Sequence, residues 1–179
     1  SFLYVGRIIK QKGINELIKA IKKIKEENKK INANFIFLGD FDNSNISNIK
    51  EHTLLEWVNK NYIIHKNYTE DIRSYYEKCD CLILPSYREG LSKSILESCS
   101  MSKPVITTDV PGCRDIIENN YNGLLCKPYD YLDLYNKILE FIDLDKNTKK
   151  KMGKNARLKV EKNFSSQIII KKYIDLLNL

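Results

Sequence analysis

The chain has 179 residues, 42% of them apolar, and 30 Lys and Arg against 23 Asp and Glu leave a net charge of +7. That is enough apolar material for one domain with a full core, and too little charge per residue for a disordered polyelectrolyte. No apolar run approaches the roughly 18–20 residues that span a bilayer, and no basic-then-apolar secretory segment opens the sequence. Five cysteines (Cys79, Cys81, Cys99, Cys113, Cys126) are an odd number with no C-x-x-C pair. They argue against a disulfide framework or a zinc site and for a reducing, cytoplasmic setting. The first residue is not Met and Phe2–Val5 already reads as a buried strand, so the chain reads as a piece of something longer.

In chain order, short apolar runs alternate with longer periodic ones. Phe2–Val5, Phe35–Leu38, Tyr62–Ile64, Cys81–Leu84, Val105–Thr107 and the weaker Leu124–Cys126 predict six strands. Their near-continuous apolar character is that of a parallel sheet covered on both faces. Between them Ile14, Leu17, Ile18, Ile21 and Ile24 recur at helical spacing. Shorter helices are predicted at Leu54–Val58, at Ile72–Tyr76 and, from Leu91 or Ser92, through Ile95 and Cys99; a longer one follows at Leu132–Phe141. The β-α-β-α alternation predicts an α/β domain with a doubly wound parallel sheet. After Asp143 the pattern is helical only, over 146–162 and 166–178. We find no linker or internal repeat, so the chain reads as one domain, 1–179, with its core in 2–145 and a helical tail in 146–179.

In such sheets ligands bind beyond the carboxyl ends of the strands. The first strand-to-helix loop, Gly6 to Gly13, carries Arg7 and Lys12 just before a helix amino terminus. Two cations beside a helix dipole suit a diphosphate better than a lone carboxylate. The loop is not a P-loop and there is no G-x-G-x-x-G, so a dinucleotide dehydrogenase has no support. The richest loop follows the fourth strand: Glu89, then Gly90, where backbone can approach a ligand, then a helix carrying Lys93, Ile95 and Glu97. If Ile95 faces the sheet, Glu97 faces the cleft in line with Lys93. A carboxylate accepts two hydroxyl hydrogen bonds at once, which suits a sugar or a ribose.

Val5-Gly6-Arg7 with Lys12-Gly13, Cys79 to Ser86, Glu89-Gly90-Leu91 with Glu97 in a Glu-x7-Glu frame, Lys103 to Gly112, and Asn122 to Leu125 together resemble glycosyltransferase family 4 in its nucleotide-sugar domain. The resemblance covers roughly 2–165, in the right order. It implies a Rossmann-like fold that is one half of the two-domain GT-B architecture, here the carboxyl-terminal donor half without the amino-terminal acceptor domain. It implies that Arg7 and Lys12 hold the donor diphosphate and that Glu89 binds hydroxyls of the transferred sugar, these three being the catalytic candidates. Gly6 belongs to the donor-binding set, as does the backbone around Gly90, Leu91 and Ser92; Glu97 would bind the ribose, and the segment near His65 and Lys66 would lie beside the base. The reaction implied is transfer of a sugar, with retention, from a nucleotide diphosphate donor (uridine by leaning) to a glycan or lipid-linked acceptor. No metal or other cofactor is expected, and the setting implied is capsule or lipopolysaccharide assembly. The chain departs from many members at Ser92, Lys93 and Ser98, where Pro, Arg and Ala are common, which bears on sugar selectivity.

Two D-x-D sequences invite a metal reading. Asp40-Phe41-Asp42 reads rather as a solvated turn, and Asp143-Leu144-Asp145 as a helix cap. Two other function classes stay open: a non-catalytic nucleotide-sugar-binding subunit of a split transferase, and a sugar-nucleotide epimerase of the same fold. The net charge, carried by 25 Lys and 5 Arg, reads first as a solvated surface, with the clusters Lys22-Lys23, Lys29-Lys30 and Lys149–Lys151 the candidates for peripheral contact with an inner membrane face. Nucleic acid is the weakest reading, since no run interleaves Arg with aromatics.

Overall fold

A computed structural model describes residues 1–27, 30–40 and 49–177, and in it the apolar runs become one six-stranded, all-parallel sheet. The strands are β1 (Phe2–Val5), β2 (Phe35–Leu38), β3 (Ile64–Lys66), β4 (Cys81–Leu84), β5 (Val105–Thr108) and β6 (Gly123–Cys126), in the order β3-β2-β1-β4-β5-β6. Seven helices follow among the described residues: α1 (Ile14–Glu27), α2 (Glu51–Asn59), α3 (Arg73–Lys78), α4 (Lys93–Ser100), α5 (Tyr131–Asp143), α6 (Lys146–Phe164) and α7 (Ser166–Leu177). Helix α1 packs on α5, and α4 packs on α6. The sheet changes direction between β1 and β4, where the loops leaving these two neighbours diverge and leave a crevice.

The central strands β4 and β5 are buried along their whole length, which is why they read as unbroken apolar runs. The edge strand behaves differently. Tyr62–Ile64 was the expected run, but the pairing runs Ile36 with Ile64, Phe37 with His65 and Leu38 with Lys66. An edge strand is paired on one side only, so polar residues can sit in it: Lys66 is exposed, and His65 bonds the Gly39 carbonyl. Tyr62 instead closes α2, its N–H donating to the Trp57 carbonyl at 2.9 Å.

All five cysteines are buried and none is paired. Burial pushes the Cys79 thiol up to about 11 and the Cys99 and Cys126 thiols up to about 12, and it raises Cys81 and Cys113 as well. Below pH 9 these thiols are protonated in both the folded and unfolded chain. Above it the unfolded chain releases protons that the folded one keeps, so stability falls as pH climbs from 9 toward 12. The expected result is that a thiol reagent at pH 8 finds no cysteine in the native protein and five after denaturation. The thermal midpoint should drop on the alkaline side of pH 9, more shallowly for Cys99→Ala than for the parent.

Asp145 caps α6, its Oδ1 accepting from the Asn147 and Thr148 N–H groups at 2.8 and 3.1 Å, as the helix-cap reading of that D-x-D expects. Helix α7 has no buried residue, and Ile170, Tyr173, Leu176 and Leu177 all stand more than half exposed. Asp40 of the other D-x-D accepts the Tyr68 N–H at 3.1 Å, while Phe41 and Asp42 lie outside the described residues, as does Lys29.

Candidate functional site

The loops that follow β1 and β4 are bound to each other main chain to main chain. The Tyr87 N–H donates to the Gln11 carbonyl at 3.0 Å. Gly13 turns through φ 69° so close to Pro85 that a Cβ there would stand 1.9 Å from the Pro85 carbonyl oxygen. Only glycine combines that left-handed turn with that approach. The Tyr4 hydroxyl donates to the Arg7 carbonyl at 2.6 Å and holds the start of the first loop. Burial, followed by the negative charge of Glu89, keeps that hydroxyl protonated well above the usual tyrosine range.

Above the crevice lies a cavity of about 830 Å³. Of the sequence candidates, Gly6, Arg7, Lys12, Glu89, Ser92 and Glu97 line it. The Lys12 Nζ stands 2.6 Å from Glu89 Oε1 across 77 positions of sequence, with the carboxylate side chain only 10% exposed. At that distance and burial the pair is a charge-assisted hydrogen bond, stronger than an exposed surface pair. Ser92 is the N-cap residue of α4, which begins at Lys93, one or two positions later than expected; its side chain does not cap the helix. The positive end of the α4 dipole therefore reaches the cavity through Ser92, Lys93 and Ser94. Ile95 is fully buried, so Glu97 faces the cavity, as the spacing predicted.

Glu97 is held from two sides. The Tyr76 hydroxyl, on the inner face of α3, shares its one proton between the Ser94 carbonyl at 3.1 Å and Glu97 Oε2 at 3.2 Å, and the Lys93 ammonium lies 3.6 Å from Oε1. Burial, with the charge of Glu97 second, raises the Tyr76 hydroxyl far above its ordinary value, so it stays a donor at any physiological pH. Sequence periodicity reads Tyr76 only as core. Its sole functional signal would be a buried tyrosine needing a partner for its hydroxyl.

Four candidates stand outside the cavity lining. His65 lies inside β3 and donates through Nε2 to the Gly39 carbonyl at 2.9 Å, and Lys66 follows it in the strand. The segment that reaches the cavity there is Tyr68, Thr69, Glu70 and Ile72, because β3 ends two residues later than expected. Leu91 points to solvent, and the Gly90 main chain packs against Gly112. Ser98 is buried, with its hydroxyl 3.5 Å from the Lys103 carbonyl, so its difference from alanine falls in the core. Among the described residues no group of three or more His, Cys, Asp or Glu is placed to hold a metal ion.

The cavity thus combines three cations (Arg7, Lys12, Lys93), a helix amino end and four carboxylates (Asp40, Glu70, Glu89, Glu97). Such a mixture fits a ligand that carries both anionic groups and hydroxyls.

The profile of the family described as glycosyl transferases group 1 matches residues 1–159. The chain is 34% identical over 166 residues to the capsular polysaccharide biosynthesis glycosyltransferase CapM of Staphylococcus aureus, a match covering 93% of this chain and 42% of that one. It is 29% identical over 174 residues to the N,N'-diacetylbacillosaminyl-diphospho-undecaprenol alpha-1,3-N-acetylgalactosaminyltransferase of Campylobacter jejuni, covering 96% of this chain and 43% of that one. The crystal structure of a glycosyltransferase from Rickettsia africae superposes with a TM-score of 0.85 at 27% identity, over 98% of this chain and 46% of that chain. This chain spans less than half the length of each.

Proposed function

The chain belongs to the glycosyl transferases group 1 family, and on that premise we propose that it is the donor half of a GT-B enzyme that moves a sugar from a nucleotide diphosphate to an acceptor, with retention at the anomeric carbon. The observation that carries the reading is the Lys12–Glu89 pair, set beside Arg7, the α4 amino end and Glu97 around one cavity. As the sugar departs with oxocarbenium character, negative charge builds on the β-phosphate. Arg7, Lys12 and the α4 amino end would stabilise it, in place of a metal ion. Glu89 would accept from hydroxyls of the transferred sugar, and Glu97, aimed by Tyr76, from the ribose. The base would lie along Tyr68–Glu70, and uracil is the base we expect.

The Glu89-x7-Glu97 frame supports the finer assignment to glycosyltransferase family 4. The amino-terminal acceptor domain would be a separate half of the same protein, so the 179-residue chain alone should bind donor and transfer little. A surface polysaccharide built on a lipid carrier is the setting suggested by the names of the Staphylococcus and Campylobacter relatives, and a cytoplasmic location is part of our proposal. No helix among the described residues is long and apolar enough to cross a membrane.

Protection against thermal unfolding tests the donor reading directly. A nucleotide sugar at ~100 times its dissociation constant adds about 2.7 kcal/mol of stability. One of a panel of UDP- and GDP-sugars should raise the midpoint by several degrees, while free sugar phosphates do not. Glu97→Gln should shrink the shift several-fold with the unliganded midpoint unmoved, and Tyr76→Phe should act in the same direction. Absence of protection by every nucleotide diphosphate at millimolar concentration would sink the proposal. Conversion of the donor sugar without an acceptor would mark an epimerase instead.

A further inference from the structure

The net charge of this protein is not spread over its surface. Helix α6 carries eight cations and a single acid, Glu161, which amounts to +7. The whole chain is also +7, so the other 160 residues hold 22 cations and 22 acids and are neutral. Among the described helices no other is so one-sided, α1 carrying four cations against three acids, although the stretch 7–30 as a whole also holds nine cations and three acids.

The fold turns that excess outward. Met152, Gly153, Ala156 and Val160 bury one side of α6, and a Cβ on Gly153 would stand 2.1 Å from the Ser102 carbonyl oxygen, so the helix is seated closely. Lys151, Lys154, Leu158 and Lys162 then recur at intervals of three and four along the opposite side, with Lys150 beside them, while Lys146 stands at the flank near Phe2 and Phe141. Three cations of the helix have partners: Lys149 on the Ile142 carbonyl, Lys159 near Glu118 and Arg157 on Glu161. Lys146, Lys150, Lys151, Lys154 and Lys162 have none among the described residues. Leu158, 58% exposed, sits in the middle of the stripe. The helix is straight-capped at Asp145 and about 28 Å long, a flat basic ridge with an apolar centre.

We propose that this face of α6 docks the protein on an anionic lipid bilayer. A planar surface of negative headgroups can meet the ammonium groups of Lys150, Lys151, Lys154 and Lys162 together, and the lysine stems and Leu158 can reach into the interfacial layer. The stripe contains no aromatic side chain and its one arginine is already bonded, so it lacks the stacking and bidentate contacts that nucleic acid uses. The inference does not depend on the donor reading, because none of these residues lines the cavity.

Sedimentation of the protein with vesicles tests it. Binding is expected to vesicles with 30% phosphatidylglycerol and not to pure phosphatidylcholine, and it should weaken more than tenfold as sodium chloride rises from 50 to 500 mM. Each lysine at such a surface is worth roughly fivefold, so Lys150→Glu, Lys151→Glu and Lys154→Glu together should cost at least ~100-fold. The same three positions changed to Gln should cost less, in the same direction, and provide a milder variant if the reversal does not fold. Reversing Lys50, Lys78 and Lys127, exposed elsewhere and equal in charge, should leave binding within about twofold. Equal binding to neutral vesicles, no binding to anionic ones at 50 mM salt, an α6 variant bound like the parent, or tighter retention of RNA or DNA than of vesicles would each overturn the proposal.

Discussion

Lys12→Ala should cut kcat of the full-length transferase by at least ~100-fold and leave the fold intact. Removing one preorganised donor from a site where charge develops costs about 3–4 kcal/mol of barrier. Lys12 is in that position if the diphosphate rests at the first loop, and Arg7→Ala should act similarly from the other side of the phosphates. The 2.6 Å pair with Glu89 adds a second consequence. Without the ammonium, a carboxylate only 10% exposed loses its charged partner at 2.6 Å, so part of any loss could come from Glu89 alone. A double-mutant cycle separates the two. If Lys12 only steadies Glu89, then Lys12→Ala combined with Glu89→Gln is no worse than Glu89→Gln by itself. If Lys12 stabilises the departing phosphate, the double variant loses a further ~100-fold beyond Glu89→Gln. Near-parental turnover from Lys12→Ala would remove the catalytic role outright.

Before the donor arrives, Glu89 occupies the ammonium that the phosphate would use, and Lys93 lies near Glu97 in the same way. On the donor reading proposed above, binding would exchange partners: phosphate oxygens would take Lys12 and sugar hydroxyls Glu89, which would limit the desolvation cost of filling the cavity.

The central strands were legible because burial on both faces forces unbroken apolar runs, and Phe2–Val5, Phe35–Leu38 and Cys81–Leu84 stand as expected. The edge strand was not, because His65 and Lys66 obey no apolar pattern and only pairing with β2 defines them. The orientation of Glu97 followed from its spacing to Ile95 on one helix. The bond between Lys12 and Glu89 had no local signal, since 77 residues separate them and only the adjacency of β1 and β4 brings them together. Tyr76 was hidden for another reason: a buried aromatic on a helix face looks like core until its hydroxyl is placed. The basic balance could not be placed from composition, because a total of +7 says nothing of where the charge lies until helix boundaries divide the chain.

Gly112→Ala should be nearly as damaging as the loss of a charged group, although Gly112 touches no ligand. Its φ is 80°, and a Cβ there would stand 1.8 Å from the Gly90 carbonyl oxygen and 2.7 Å from that of Glu89. Real Cβ contacts are essentially never under 3.0 Å, so the two segments must part by about 1.2 Å (3.0 − 1.8). That movement is transmitted to Glu89, and a misplacement of ~1 Å at a reacting group can cost ~100-fold. The left-handed backbone adds ~1–2 kcal/mol of strain, which for a chain of this size lowers the midpoint by roughly 2–8 °C. Asparagine tolerates a positive φ better than alanine does, yet meets the same carbonyls. Gly112→Asn should therefore relieve part of the stability loss and none of the activity loss. Gly90→Ala is the counterpart: its Cβ meets nothing within 4 Å, so the midpoint should stay put. Any rise in donor KM from that variant then reports a ligand lying against the Gly90 main chain. If Gly112→Asn turns over like the parent, the Gly112 contact does not position Glu89.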